Sequence, residues 1–136
     1  MTDELADAAK SLVGAREAGT PPSSKQIADR ATQACERLSQ HLSRLLGEAG
    51  VGMLWERSIV LASVAYPWLA AAKSRDIATF NTAMASQSPD VATEAFVAVL
   101  SAFVGLLERL IGEGLVQRLL DEVWPGVFSR DVKETP

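Results

Sequence analysis

Apolar residues between Ile27 and Leu46 recur at steps of three and four: Ile27, Ala31, Ala34, Leu38, Leu42, Leu45 and Leu46 share one helical face, while Lys25, Asp29, Arg30, Gln33, Arg37, Gln40 and Arg44 occupy the other. This pattern predicts an amphipathic helix. Ser23 and Gln26 stand at capping-box spacing at its start, and the glycines from Gly47 to Gly50 predict its end, because glycine accepts the left-handed C-terminal conformation.

The stretch from Ala95 to Leu107 is different in kind, uncharged throughout and fenced by Glu94 and Glu108. Spanning a bilayer takes about 20 apolar residues, so a run this short predicts a helix buried in protein on nearly every side. Ser88-Pro89-Asp90 is its start signal, with serine as cap and proline at the first helical position, and Gly112 and Gly114 interrupt it after Ile111. A third, mostly buried helix is expected from about Val51 through Met53, Leu54, Val60, Leu61 and Val64, ending near Tyr66 because Pro67 cannot continue the hydrogen-bond ladder. Leu115, Leu119, Leu120 and Val123 mark a fifth helix that Pro125 and Gly126 end, and Ile77, Phe80 and Met84 suggest a short helix covering a seam.

Before the long helices, Leu5, Ala8, Ala9, Leu12 and Val13 form a thin stripe behind Thr2, Asp3 and Glu4, predicting a short, weakly docked helix. Thr20-Pro-Pro-Ser-Ser24 then breaks the chain. The organisation expected is an N-terminal helix and linker over 1–22, a bundle over 23–128 and a frayed, charged tail over 129–136. The fold class is all-α, a compact bundle of four to five helices.

A faint internal echo relates Arg44-Leu-Leu-Gly-Glu48 to Arg109-Leu-Ile-Gly-Glu113, each followed by a helix closing on an aromatic-proline pair, Tyr66-Pro67 and Trp124-Pro125. It reads either as a duplicated helical hairpin or as two uses of a common helix-glycine-helix corner. The second is preferred at this level, since a repeat should match at more positions.

Composition narrows the function classes. At 136 residues, 48% hydrophobic and 22% charged, the chain suits one folded domain. Thirteen basic and 17 acidic residues give a net charge of −4, with no basic stripe to track phosphates, so nucleic acid is disfavoured as a partner. With Cys35 as the sole cysteine, no intrachain disulfide and no multi-cysteine zinc site can form, and the acidic N-terminus lacks a signal-peptide pattern. A cytoplasmic protein without a membrane span is expected.

No residue pattern points to catalysis. His41, the single histidine, invites a phosphotransfer reading, yet His41-Leu-Ser-Arg-Leu-Leu-Gly47 places bulky Leu45 where such domains need a small residue. Haem or metal binding lacks a second histidine or a Glu-x-x-His pattern, so no cofactor or metal is expected. Cys35 lies among apolar neighbours and reads as a small hydrophobe, remote around the helix from His41. Trp55, Trp68 and Trp124 fall near helix ends, where indoles cap bundles or anchor interfaces.

Because both the third and fourth helices look apolar nearly all round, one small bundle struggles to hide both. The surplus predicts a homodimer interface or a helical partner, with Phe96, Leu100, Phe103, Trp55, Trp68 and Trp124 as the first residues to consider. Small residues at Ala98, Ser101, Ala102 and Gly105 would permit close approach there. The function expected is a non-enzymatic interaction, regulatory or adaptor module that self-associates. The alternatives are a bundle binding a small apolar ligand and a phosphotransfer-like signalling protein using His41.

Overall fold

The computed structural model describes residues 2–14, 19–72 and 77–125. The expected tail over 129–136 lies outside them. The described residues form an all-α bundle of five α-helices: α1 (Thr2–Leu12), α2 (Ser24–Ala62), α3 (Ile77–Ala85), α4 (Pro89–Ile111) and α5 (Glu113–Val123), with a 3₁₀ helix over Pro67–Ala72.

The signals at the start of α2 work as their chemistry dictates. The Gln26 amide donates to Ser23 Oγ at 3.2 Å while the Ser23 amide donates to Gln26 Oε1 at 2.9 Å, completing the capping box. Gly47 then leaves the helical region at φ 80°, ψ 157°, a conformation essentially reserved for glycine. The consequence is a sharp reversal. The Trp55 indole N–H donates to Ser39 Oγ at 2.5 Å, although the two residues would lie roughly 24 Å apart along an unbroken helix rising 1.5 Å per residue. Residues 24–46 and 48–62 are therefore two arms of a hairpin.

The second half of the bundle is built the same way. Ser88 caps α4 by accepting from the Val91 amide, and Gly112 turns the chain into α5 at φ 92°, ψ 152°. Ser23 to Ser88 and Gly47 to Gly112 are the same interval, 65 residues. That register also aligns the interior. Ile27, Ala28, Ala31, Ala34, Cys35, Leu38, Leu42 and Val51 are buried, and so are Ala92, Thr93, Phe96, Val99, Leu100, Phe103, Leu107 and Val116, their counterparts 65 residues on. The match thus extends far beyond the five-residue corner, which overturns the preference for an isolated reuse of a common turn.

The halves also exchange their short helices. α1 packs chiefly on α4, and α3 chiefly on α2. The two long helices start side by side, with the Ser24 hydroxyl donating to the Gln87 carbonyl. α3 is pinned where Asn81 Nδ2 donates to Asp29 Oδ1 and to Thr32 Oγ1, each at 3.0 Å. α1 and the turn after it supply Leu5, Ala9 and Val13 to the same core as the long helices.

α4 is the central helix, with Phe96 and Phe103 fully enclosed. By length and composition it would also suit a membrane span, one 18-residue window having a mean hydropathy of 1.8, and half of that window is buried against the other helices. The second arm of α2 departs from expectation. It packs inward through Val51, Ile59 and Ala62, but Met53, Val60, Leu61 and Val64 face outward, Val64 being 85% exposed. An outer helix of so small a bundle has one face against the core, so its remaining apolar residues have nothing to cover them.

Candidate functional site

Because Gly47 folds α2 back on itself, a groove forms between its two arms and is closed below by α3 and α4. Its cavity volume is about 450 Å³. Cys35 and Ser39 come from the first arm, Val51, Gly52, Trp55 and Ile59 from the second, Ile77 and Phe80 from α3, and Val99 from α4. A polar rim is added by Glu36, Gln40, Ser43, Glu48 and Glu56.

Trp55 organises this site. Its ring stacks on Phe103 at a centroid distance of 3.8 Å and an interplanar angle of 21°, which fixes the indole against α4. Its N–H reaches Ser39 Oγ, and the Ser39 hydroxyl in turn donates to the Cys35 carbonyl at 2.7 Å. The two arms are thereby tied across the groove while the space beside them stays open.

The corresponding positions in the other half show why the space exists. Cys35, Ser39 and Gly52 have Leu100, Val104 and Gln117 as counterparts 65 residues on, and Leu100 and Val104 are 1% and 2% exposed. At these three positions the first hairpin carries the smaller side chains.

The chemistry of the groove is that of contact and charge. Burial, reinforced by the negative charge of Glu36, pushes the Cys35 thiol up to about 12, so at neutral pH it stays protonated and is no nucleophile. Among the described residues, no group of three or more His, Cys, Asp and Glu side chains is placed to hold a metal ion.

The residues singled out from sequence are dispersed. Phe96, Leu100 and Phe103 are 0–1% exposed and Trp124 is 5% exposed, which places all four inside the chain's own core, where they present no surface to a second molecule. Trp55 alone reaches the groove. Trp68 is half-buried and packs edge-on against Tyr66, with ring centroids 6.4 Å apart at 70°. The Tyr66 hydroxyl is held above its ordinary range by burial and by the neighbouring Glu94 carboxylate. His41 meets Glu122, its Nε2 lying 2.8 Å from Glu122 Oε1. A phosphoryl group at that nitrogen would face a carboxylate, which disfavours the phosphotransfer alternative.

From sequence, Ser39 and Glu36 carry no signal, Glu48 and Glu56 read as solvated charge on helix ends or polar faces, and Gly52 reads only as part of a superficially Gly-rich stretch. The signal that finds them is the 65-residue register, under which small residues in one half stand opposite large ones in the other. No protein-family model matches this chain, no curated protein is similar to it, and no solved structure matches its fold.

Proposed function

We propose that this chain is a non-enzymatic binding protein that holds a small, largely apolar ligand in the groove between the arms of α2. The observation that carries this reading is an open cavity in the first hairpin, beside Cys35, Ser39 and Gly52, which are smaller than their counterparts in the second. Its volume of about 450 Å³ lies in the range of ligand sites, roughly 300–1,000 Å³, and such sites combine apolar walls with a few polar groups, as here. The test is titration with the neutral fluorescent probe N-phenyl-1-naphthylamine. Saturable emission enhancement is expected, and it should be lost in Cys35→Leu and Gly52→Gln, which import the side chains of the second hairpin. Unchanged probe binding in both variants, or none in the parent protein, refutes the reading.

A second reading, self-association as a cytoplasmic homodimer, is favoured by the uncovered stripe of Met53, Val60, Leu61 and Val64, which are 60%, 44%, 45% and 85% exposed. Exposed apolar residues that cluster, as Val60, Leu61 and Val64 do at the end of α2, mark interaction surfaces more often than scattered ones do. Light scattering over a dilution series should give a concentration-dependent mass that Val60→Glu with Val64→Glu returns to that of one chain. A single-chain mass at every concentration dismisses it.

A further inference from the structure

We infer that the occupant of the groove is a hydrophobic cation, an alkyl- or arylammonium whose apolar body lies along Val51, Trp55, Ile59 and Phe80 and whose charged end meets the rim. This rests on the ligand-binding reading above and adds the chemical class of the ligand. Among the described residues the groove lining contains three carboxylates, Glu36, Glu48 and Glu56, and no lysine, arginine or histidine. Elsewhere two acids meet a basic side chain, Asp29 with Lys25 at 2.9 Å and Glu122 with His41 at 2.8 Å. The rim acids have none among the described residues.

The three carboxylates come from both arms, Glu36 from the first and Glu48 and Glu56 from the second, so they flank the groove rather than line one side of it. A cation entering between them is attracted from both walls, an anion is repelled from both, and a neutral ligand gains only the apolar contact. The low-dielectric floor of Val51, Ile59, Ile77, Phe80 and Val99 excludes water beneath the charges and strengthens that preference. The second hairpin keeps acids at two of these places, Glu113 and Asp121, but has Ser101 opposite Glu36. The full complement of charge therefore coincides with the open cavity.

The experiment is displacement of N-phenyl-1-naphthylamine by octylammonium, octanol and octanoate, which share a tail and differ in charge, at pH 7 and low salt. Octylammonium should bind about tenfold more tightly than octanol, as expected for a cation near several exposed carboxylates, and octanoate more weakly than octanol. Raising salt to about 0.5 M, where screening acts within a few ångströms, should compress the series toward a single affinity. In the Glu36→Gln, Glu48→Gln, Glu56→Gln triple variant the ammonium should lose its advantage over the alcohol. Probe binding with octanol equal to or tighter than octylammonium overturns the cation proposal and leaves the ligand-binding reading standing. A charge ranking that survives both salt and the triple variant also overturns it. Failure of the probe to bind overturns both.

Discussion

Gly47 and Gly112 hold nearly the same backbone conformation, φ 80°, ψ 157° and φ 92°, ψ 152°, and each is followed at once by a helix whose first residue is a glutamate. This pair of corners makes the fold: each reverses one long helix into a hairpin.

A Cβ added at either corner meets nothing within 4 Å, so any cost of substitution is a backbone cost. Gly47→Ala and Gly112→Ala are each expected to lose about 1–3 kcal/mol, the usual magnitude for forcing an L-residue into a glycine-only region. Gly105, inside α4 and equally free of neighbours, should behave oppositely, gaining about 0.5–1 kcal/mol on change to Ala. Urea denaturation midpoints at constant slope measure all three, and D-alanine introduced at Gly47 by semisynthesis should recover the parent stability.

Phe103 is fully buried beneath Trp55. Phe103→Ala removes both the core volume and the stack and should cost about 3–5 kcal/mol. Trp55→Phe keeps an aromatic ring over Phe103 but deletes the donor to Ser39, for an expected loss of about 0.5–1.5 kcal/mol. A denaturation series that ranked Trp55→Phe above Phe103→Ala would contradict this placement of the two rings.

Two carboxylates should tilt the pH dependence of stability in opposite senses. Burial, and secondarily the charge of Glu113, hold the Glu108 carboxyl above its ordinary value of 4.5, so the folded chain binds this proton more tightly than the unfolded chain. Its contribution is present below that ordinary value and is lost as pH rises through the raised one. Glu108→Gln should therefore raise Tm at pH 7, with the gain vanishing below about pH 4. Asp29 is held below its ordinary value of 3.8 by its hydrogen bonds to Lys25 and Asn81. Its contribution is present above that value and is lost as pH falls through the lowered one, so Asp29→Asn should lower Tm at pH 7 and have no effect in strong acid. Thermal melts of both variants between pH 2 and 8 check the two signs.

The caps of the long helices differ in completeness. Ser23 both accepts from Gln26 and has its amide satisfied by the Gln26 side chain, whereas Ser88 only accepts from Val91. Each Ser→Ala change should cost about 1 kcal/mol, and Gln26→Ala should lower stability in the Ser23→Ala background as well, because the Gln26 side chain accepts from the backbone amide of residue 23, so the coupling between the two changes should be small. A double-mutant cycle on Ser23 and Gln26 measures that coupling.

Much of the secondary structure follows from the chain alone. The 3.6-residue recurrence of Ile27 to Leu42, the Ser23-Gln26 and Ser88-Pro89-Asp90 starts and the breaks at Gly47 and Gly112 are local effects, whereas the second arm of α2 ends at Ala62, ahead of the stop near Tyr66 that Pro67 predicts. Each depends on the backbone freedom, donor count or side-chain reach of residues within one or two turns, so the all-α class and the helix order are written in the sequence. The enclosure of Phe96 and Phe103 was foreshadowed by the uncharged run around them, but not its cause, which is packing within one chain.

Tertiary structure decided the rest. Ala31 and Phe96, or Cys35 and Leu100, share no chemistry that would betray them as counterparts, since burial constrains position and total volume rather than residue identity. The sequence shows the 65-residue register only at the Arg44–Glu48 and Arg109–Glu113 corners; its extent became visible once both hairpins were folded and their inward faces could be compared. The groove arose in the same way, from a deficit of side-chain volume at Cys35, Ser39 and Gly52 relative to Leu100, Val104 and Gln117. The outward turn of Val60 and Val64 likewise follows from where the arm lies in the bundle, because hydropathy along a helix states which residues are apolar and not which of them find neighbours.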